Sequence, residues 1–445
     1  MRESRRKRVT RACDFCHFRG LKCVQSPELT QGDVNCQTCL NRNLVCTTAR
    51  PKGKRGRPRS SIETPTRDNL PTNEARANRP PLTSSLREQT VLEKLGKVYI
   101  EIIHPSYPFI DEEQVQVLSS AIHEDQYKSD YILLLAMCAV SALAMSENPS
   151  KNSLVDQVLE THHETYFYNA IDCVPFRIRH CRSPNHMSAF GLLALYSLRV
   201  GNFSSLHRYL ALYHALVALD GLHDELRWPP NLSAKEVETR RRVFWCMYRL
   251  EIHSACLLGH IVRLPQSQAS VTYPAKYGYQ GDYGHSWIDG WNYTNDLFRL
   301  IEQALVKMRS PSTRGSLLPV NVLSAHPSGP IQVLQDLKSR KPSWCIPKEG
   351  LEGSTGQTQQ AVQTIHITCT ESLLSVMILL SSHAPMKEII AEVEALLNEI
   401  TSFPVDLVKK ADTSVVQQLA GIGHLLHSSL RKYHDADKKG AKNAM

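Results

Sequence analysis

Six cysteines at fixed intervals are the residues best placed to do chemistry in this chain. Cys13, Cys16, Cys23, Cys36, Cys39 and Cys46 follow the spacing C-x2-C-x6-C-x12-C-x2-C-x6-C. The halves CDFCHFRGLKC (13–23) and CQTCLNRNLVC (36–46) repeat one another, with Arg19 and Arg42, and Leu21 and Leu44, at matching offsets. A C-x-x-C pair bites one tetrahedral zinc, and zinc takes four ligands. Two zincs need eight ligand places, and six thiolates fill them when two sulfurs bridge. Bridging by the first cysteine of each half would let the halves share both metals symmetrically. One ion would then take Cys13, Cys16, Cys23 and Cys36, and the other Cys36, Cys39, Cys46 and Cys13. The alternatives are one zinc with two spare thiols, which the repeat disfavours, and a disulfide knot. Met1–Arg8 is charged and no apolar run follows it, so a reducing compartment is expected, where clustered cysteines mean metal rather than disulfide. A cross-braced finger would need eight Cys and His ligands, and His17 is the single histidine in the module.

Charge gathers at the same end. In residues 1–60, fifteen Lys and Arg stand against four acids, a balance of +11, while the remainder of the chain carries −2 of the net +9. Such concentration argues for a polyanionic partner, nucleic acid first. Between Cys16 and Cys23 a short helix starting near Cys13 would set Arg19 and Lys22, three apart, on one face. Arg there can pair bidentately with guanine, for about 1–3 kcal/mol of base discrimination. The alternative is contact with phosphate alone.

On these cysteines and the basic run before them, residues 1–46 resemble the fungal binuclear zinc-cluster (Zn2Cys6) regulators. The resemblance implies two Zn2+ ions held by the six cysteines, with Cys13 and Cys36 bridging. It also implies that the segment after Cys16 enters the major groove and reads a CGG-type triplet. Arg8, Arg11, His17, Arg19 and Lys22 are the candidate DNA-contacting residues. This chain departs from the pattern at Gly20, where family members usually carry the second base of an adjacent pair.

The flanks extend the basic surface. Residues 1–12 form a basic arm with Arg5-Arg6-Lys7-Arg8, and residues 47–60 contain Lys52-Gly53-Lys54-Arg55-Gly56-Arg57-Pro58-Arg59. The second run resembles an AT-hook, whose narrow Gly-Arg-Pro backbone lies in the minor groove and places Arg55 and Arg57 over A·T pairs. A nuclear-import signal or a solvated charged tail is the alternative. Residues 61–85, rich in Pro, Asn, Thr and Ser, read as a disordered linker. Leu86, Leu92, Leu95, Val98 and Ile102 make one amphipathic helix, below the three heptads of a coiled coil, so this region does not support a homodimer.

The rest reads as helical. Apolar residues recur at three- and four-residue spacing in Val91–Ile103, Tyr131–Met145, Ser188–Val200, Leu206–Leu219 and Val237–Leu258. Tyr131–Met145 is 15 residues, short of the roughly 20 that span a bilayer, and reads as a buried helix. The expected fold class is a small binuclear cluster plus a large all-α regulatory domain, 86–310. A loop (311–359), further helices (360–435) and a basic tail (436–445) follow. His104-Pro105-Ser106-Tyr107-Pro108-Phe109-Ile110, Gly221-Leu222-His223-Asp224-Glu225 and Glu238-Thr239-Arg240-Arg241-Arg242-Val243-Phe244-Trp245 resemble the fungal transcription-factor middle homology region over about 95–275. Glu251 and Gly259-His260-Ile261 depart from that pattern. In the family this domain is regulatory. Glu238 with Arg241 and Arg242 reads as an ion pair on one helix face.

No HExxH, GxSxG or phosphate-cradling glycine loop occurs. His162-His163-Glu164, and His104 with His123, lack a partner at ligand or triad spacing. Trp287, Trp291, Tyr293 and Phe298 read as packing. The expectation is a nuclear, non-enzymatic, sequence-specific DNA-binding regulator of RNA polymerase II-type transcription, serving a metabolic or gene-cluster pathway. Its partners are double-stranded DNA, the transcription machinery or co-regulators, and an unknown small-molecule effector, with no membrane association. The rivals are a zinc-module co-regulator acting through protein contacts, and an enzyme in 86–445 targeted by the zinc module.

Overall fold

In the N-terminal unit, two very short helices each begin beside the first cysteine of a repeat half: α1, Asp14–Phe18, and α2, Gln37–Leu40. They belong to a computed structural model that describes residues 12–18, 22–23, 36–42, 46–47, 82–120, 128–147, 162–275, 282–309, 330–345, 355–382, 384–411 and 413–443. The chain divides into two units, Met1–Leu70 and Pro71–Met445. Among the described residues of the first, the buried side chains are Cys13, Cys16, Cys36 and Cys39.

The second unit is helical, and among its described residues no strand forms beyond a single bridge between Asp224 and Ser270. In chain order its helices are α3 (Gln89–Val98), α4 (Glu112–Ser120), α5 (Ser129–Glu147), α6 (His163–Cys173), α7 (Pro184–Arg199), α8 (Phe203–Asp220) and α9 (Ala234–Leu258). There follow α10 (Asp282–Arg309), α11 (Pro330–Lys338), α12 (Thr355–Ser381), α13 (Met386–Ser402), α14 (Val405–Lys410) and α15 (Thr413–Asn443). Their ends carry ordinary cap chemistry. Ser233 and Glu236 close a reciprocal capping box on α9, and Gly259 ends it at φ 77°. Asn202 caps the start of α8 and Gly221 its end, at φ 62°. Ser183 followed by Pro184 starts α7.

A helix apolar on all sides belongs inside. α5 is that helix: every residue from Tyr131 to Met145 is buried, and α3, α6 and α7 surround it. α7 passes contact on to α8 and α9, α9 to α10, α10 to α12, and α12 to α13 and α15. Two helices, Ser129–Glu147 and Gln359–Ser381, are long and apolar enough by length and composition to cross a membrane, and 83% of each apolar window is buried against the rest of the fold.

The corner between α3 and α4 locks the ends together. After α3 the helix widens to a π turn, Tyr99–Ile103, in which the His104 N–H reaches back to Tyr99 O at 2.8 Å. The Tyr99 hydroxyl donates to Tyr107 O (2.9 Å) and accepts from the Ile110 N–H (3.2 Å). His104 stacks on Trp287 with centroids 5.0 Å apart, and the Trp291 indole donates to Ser106 O at 3.2 Å. Ser106 Oγ lies 2.9 Å from His366 Nε2 on α12, and Gln359 donates to Ile100 O.

Four expectations change. The helices of 360–435 do not stand apart from 86–310: buried apolar residues from Leu82 to Ile422 make one core. Segment 311–359, read as a loop, contains α11, which opens on Pro330, and the start of α12. Residues 436–443 of the basic tail continue α15. Leu82, inside the expected linker, is buried in the core, whereas residues 61–81 lie outside the described set.

The expected Glu238 ion pair exists with Arg241 (2.8 Å), but Arg242 pairs instead with Asp111 across the fold at 2.9 Å. Arg242 points inward toward α4, while Arg241 faces Glu225 and donates to both its oxygens. His163 bonds the Tyr196 hydroxyl at 2.7 Å, and His123 lies outside the described residues. Trp287, Trp291, Tyr293 and Phe298 are buried in the core, as packing requires.

Candidate metal centre

The sequence repeat reappears as repeated geometry. In the first half the Cys16 N–H donates to Cys13 Sγ (3.4 Å), and the Cys13 N–H donates to Cys23 Sγ (3.5 Å). In the second half the Cys39 N–H donates to Cys36 Sγ (3.4 Å), and the Cys36 N–H to Cys46 Sγ (3.4 Å). Each C-x-x-C turn therefore aims a backbone donor at its first sulfur, and each third cysteine folds back to the amide of the first.

The halves meet at those first sulfurs. Cys13 Sγ lies 3.7 Å from Cys36 Sγ and 3.7 Å from Cys39 Sγ, and Cys36 Sγ lies 3.6 Å from Cys16 Sγ. Four sulfurs, of Cys13, Cys16, Cys36 and Cys39, lie within 4.8 Å of one another, all buried, in a group that could hold a metal ion. With Zn–S near 2.3 Å, the edge of a zinc–thiolate tetrahedron is about 3.8 Å. The sulfur–sulfur separations match that edge, so the donor set fits zinc in softness, spacing and burial.

Cross-links outside the cysteines hold the two halves in register. The Asp14 N–H donates to Thr47 O (2.8 Å), and the Thr47 hydroxyl donates to Asp14 Oδ2 (2.9 Å). The Thr38 hydroxyl donates to Lys22 O at 2.9 Å. Asp14, Thr38 and Thr47 were not singled out from the sequence. Asp14, opening the first helix, was the available signal, but its partner is 33 residues away.

Acidity separates the sulfurs into two kinds. Burial raises every thiol in the cluster, but at Cys36 the Cys39 N–H and the thiols of Cys39, Cys16 and Cys13 outweigh it, bringing the group to about 6. Cys13 is likewise lowered against burial, by the N–H and the thiol of Cys16. Cys16 is pushed up to about 12 by burial and by its neighbours Cys13 and Cys36, and Cys23, Cys39 and Cys46 are raised as well. The sulfurs of Cys13 and Cys36 each interact with all the others' acidities: Cys23 and Cys46 are both influenced by both of them. Both first cysteines thus stand at the centre of the set, the two whose acidity is strengthened, with the other four arranged around them.

The candidate DNA contacts are described less fully. Lys22 is exposed and lies outside α1, and Arg19, expected to share a helix face with it, lies outside the described residues. His17 lies in α1 with its side chain outside the described set. Arg8, Arg11, Arg19, Arg55 and Arg57 lie outside the described residues.

Residues 97–280 match the family model of the fungal specific transcription factor domain. The matched span runs from the end of α3, through α9, to just before α10, and it leaves out the cysteine module. No curated protein and no solved structure matches the chain. A helical body with a fungal transcription-factor middle region marks the chain as a transcription regulator. The cysteine-rich unit before it is a metal-capable module.

Proposed function

We propose that the chain is a sequence-specific DNA-binding regulator of RNA polymerase II-type transcription, which reads a CGG-like triplet through two zincs. The observation that carries the proposal is the shared Cys13–Cys36 edge, 3.7 Å long, with Cys16 and Cys39 each within 3.7 Å of the opposite half's first sulfur. One ion takes Cys13, Cys16, Cys23 and Cys36, the other Cys36, Cys39, Cys46 and Cys13. The metal's role is structural: it fixes the chain direction after Cys16 so that the basic segment is presented in one shape.

The regulator is nuclear, and its role is binding rather than catalysis. The +11 balance of residues 1–60 supports a DNA partner, because phosphate neutralisation dominates such affinity. Arg19 and Lys22 contact the triplet or its phosphates, with Arg8, Arg11 and His17 beside them. Arg55 and Arg57 extend the footprint into an adjacent A·T-rich minor groove. The helical body supplies contacts with the transcription machinery or co-regulators and governs activity in a metabolic or gene-cluster pathway.

The test is selection of DNA from a random pool by the full chain, with and without a zinc chelator. Zinc-dependent enrichment of a G/C triplet beside A·T-rich sequence is expected. Enrichment of A·T runs alone, indifferent to chelation, would assign DNA binding to Arg55 and Arg57 and leave the cluster for a protein partner. Arg55→Ala with Arg57→Ala should weaken binding selectively on A·T-flanked sites. An equal loss on all flanks would remove the minor-groove contact.

A further inference from the structure

α9, α10, α12 and α15 do not close completely on one another. They leave a cavity of about 400 Å3, within the range of small-molecule sites. Its walls are largely apolar, with Leu257 from α9, Phe298, Ile301 and Leu305 from α10, and Leu373 and Met377 from α12. Among the described residues that line it, none is acidic.

Two features mark the space as built. Gly421 stands in the α15 wall, and a Cβ placed there would meet no atom within 4 Å. Glycine inside a helix costs stability relative to alanine, yet α15 keeps one where a larger side chain would fit. At the rim, Arg309 ends α10 and donates through its two terminal nitrogens to Ala255 O (2.6 Å) and His260 O (2.9 Å). Those carbonyls hold the guanidinium plane in place and use two of its five N–H donors. Among the described residues it makes no ion pair, and its bonds there use only those two carbonyls.

We propose that this cavity binds a small amphipathic monocarboxylate, with its apolar body between α10 and α12 and its carboxylate at Arg309. Guanidinium matches carboxylate in shape as well as charge, and the apolar side chains between α10 and α12 suit a single long apolar body. α9 lies within the span matched to the transcription-factor domain, whereas α10, α12 and α15 lie beyond it. A ligand here therefore joins the matched domain to the helices that follow, and its occupancy stiffens that junction. The proposal goes beyond the DNA-binding reading and does not depend on it.

The experiment is calorimetric titration of the full zinc-loaded chain with decanoate and with decan-1-ol, accompanied by thermal unfolding. Decanoate should bind at least tenfold more tightly than the alcohol, and Arg309→Gln should erase that difference. Gly421→Leu should fill the cavity, weaken both probes at least tenfold and leave the ligand-free melting temperature unchanged or higher. Gly421→Ala should give a smaller loss in the same direction, and keeps the test informative if the leucine disturbs folding. Equal affinity for the two probes, no uptake of either, or binding indifferent to both Gly421 substitutions would overturn the proposal. So would a dimer that Gly421→Leu dissociates with no decanoate bound, since a second copy would then fill the cavity.

Discussion

The two units of this chain solve the problem of holding a shape by opposite means. In the first, the described buried side chains are four cysteines, with Ala12, Phe15, Cys23 and Cys46 partly covered around them. In the second, an apolar core runs from Leu82 to Ile422 through helices that cover one another's faces. A segment of about 34 residues cannot bury enough apolar surface to fold alone, so its order must come from ligand bonds. The body has an apolar core to order it by packing. Sulfurs brought to a centre give a small metal-capable module, and helices stacked around a core give a large packed body.

The sharpest way to break this contrast is to withdraw the metal. Structural zinc binding in small modules is worth about 10–16 kcal/mol near neutral pH. A chelator should unfold residues 13–46 while the melting of the helical body moves by no more than a degree or two. Limited proteolysis followed by mass spectrometry reads both, and a module that stays protected without metal would break the comparison.

The body should fail through packing and pairing instead. Arg242→Ala leaves Asp111 charged and largely buried, and breaking such a pair costs about 3–5 kcal/mol. Urea unfolding should show that loss with zinc content unchanged. Replacing both partners together, Arg242→Met with Asp111→Leu, should recover most of it. Failure to recover would mean that the pair holds the α4–α9 contact in some further way.

A smaller effect is expected at Gly191, where a Cβ would lie 2.1 Å from the Phe109 ring. Gly191→Ala should cost about 1–3 kcal/mol by overpacking, without touching zinc binding. A neutral result in urea would mean that the Phe109 ring has room to shift.

The least of these effects depends on pH. Burial lowers His104 to about 3, helped by Arg242, and lowers His214 to about 4, helped by Arg263 and His260. Both are neutral in the folded body and take up protons near 6.5 when unfolded. Their contribution is therefore whole above about 6.5 and is lost as pH falls toward the folded values. Between pH 7 and 5 the body should lose roughly 1–2 kcal/mol for each. His104→Asn should flatten part of that slope, and an unchanged slope would assign it to other groups.

Much of this was legible in the sequence because the signals are local. The cysteine repeat needs only spacing. The long helices declare themselves by period, and Tyr131–Met145 by its lack of charged residues. Short helices were missed where few residues face inward: α4 buries Val115, Leu118 and Ser119, and α14 spans six residues. Long-range partners were missed for a different reason. Nothing at Arg242 names Asp111, 131 positions earlier, and a near neighbour such as Glu238 is the natural first guess. The cavity was invisible as well, because its walls come from four helices and its emptiness depends on how they cross.

The central claim is that Cys13 and Cys36 each serve both metals, and native mass spectrometry of the intact chain tests it most directly. Wild-type protein should carry two zincs. Cys36→Ala should lose both, whereas Cys46→Ala should keep one, since it belongs to a single ion's set. One zinc in the wild type, or equal retention in the two variants, would contradict the account.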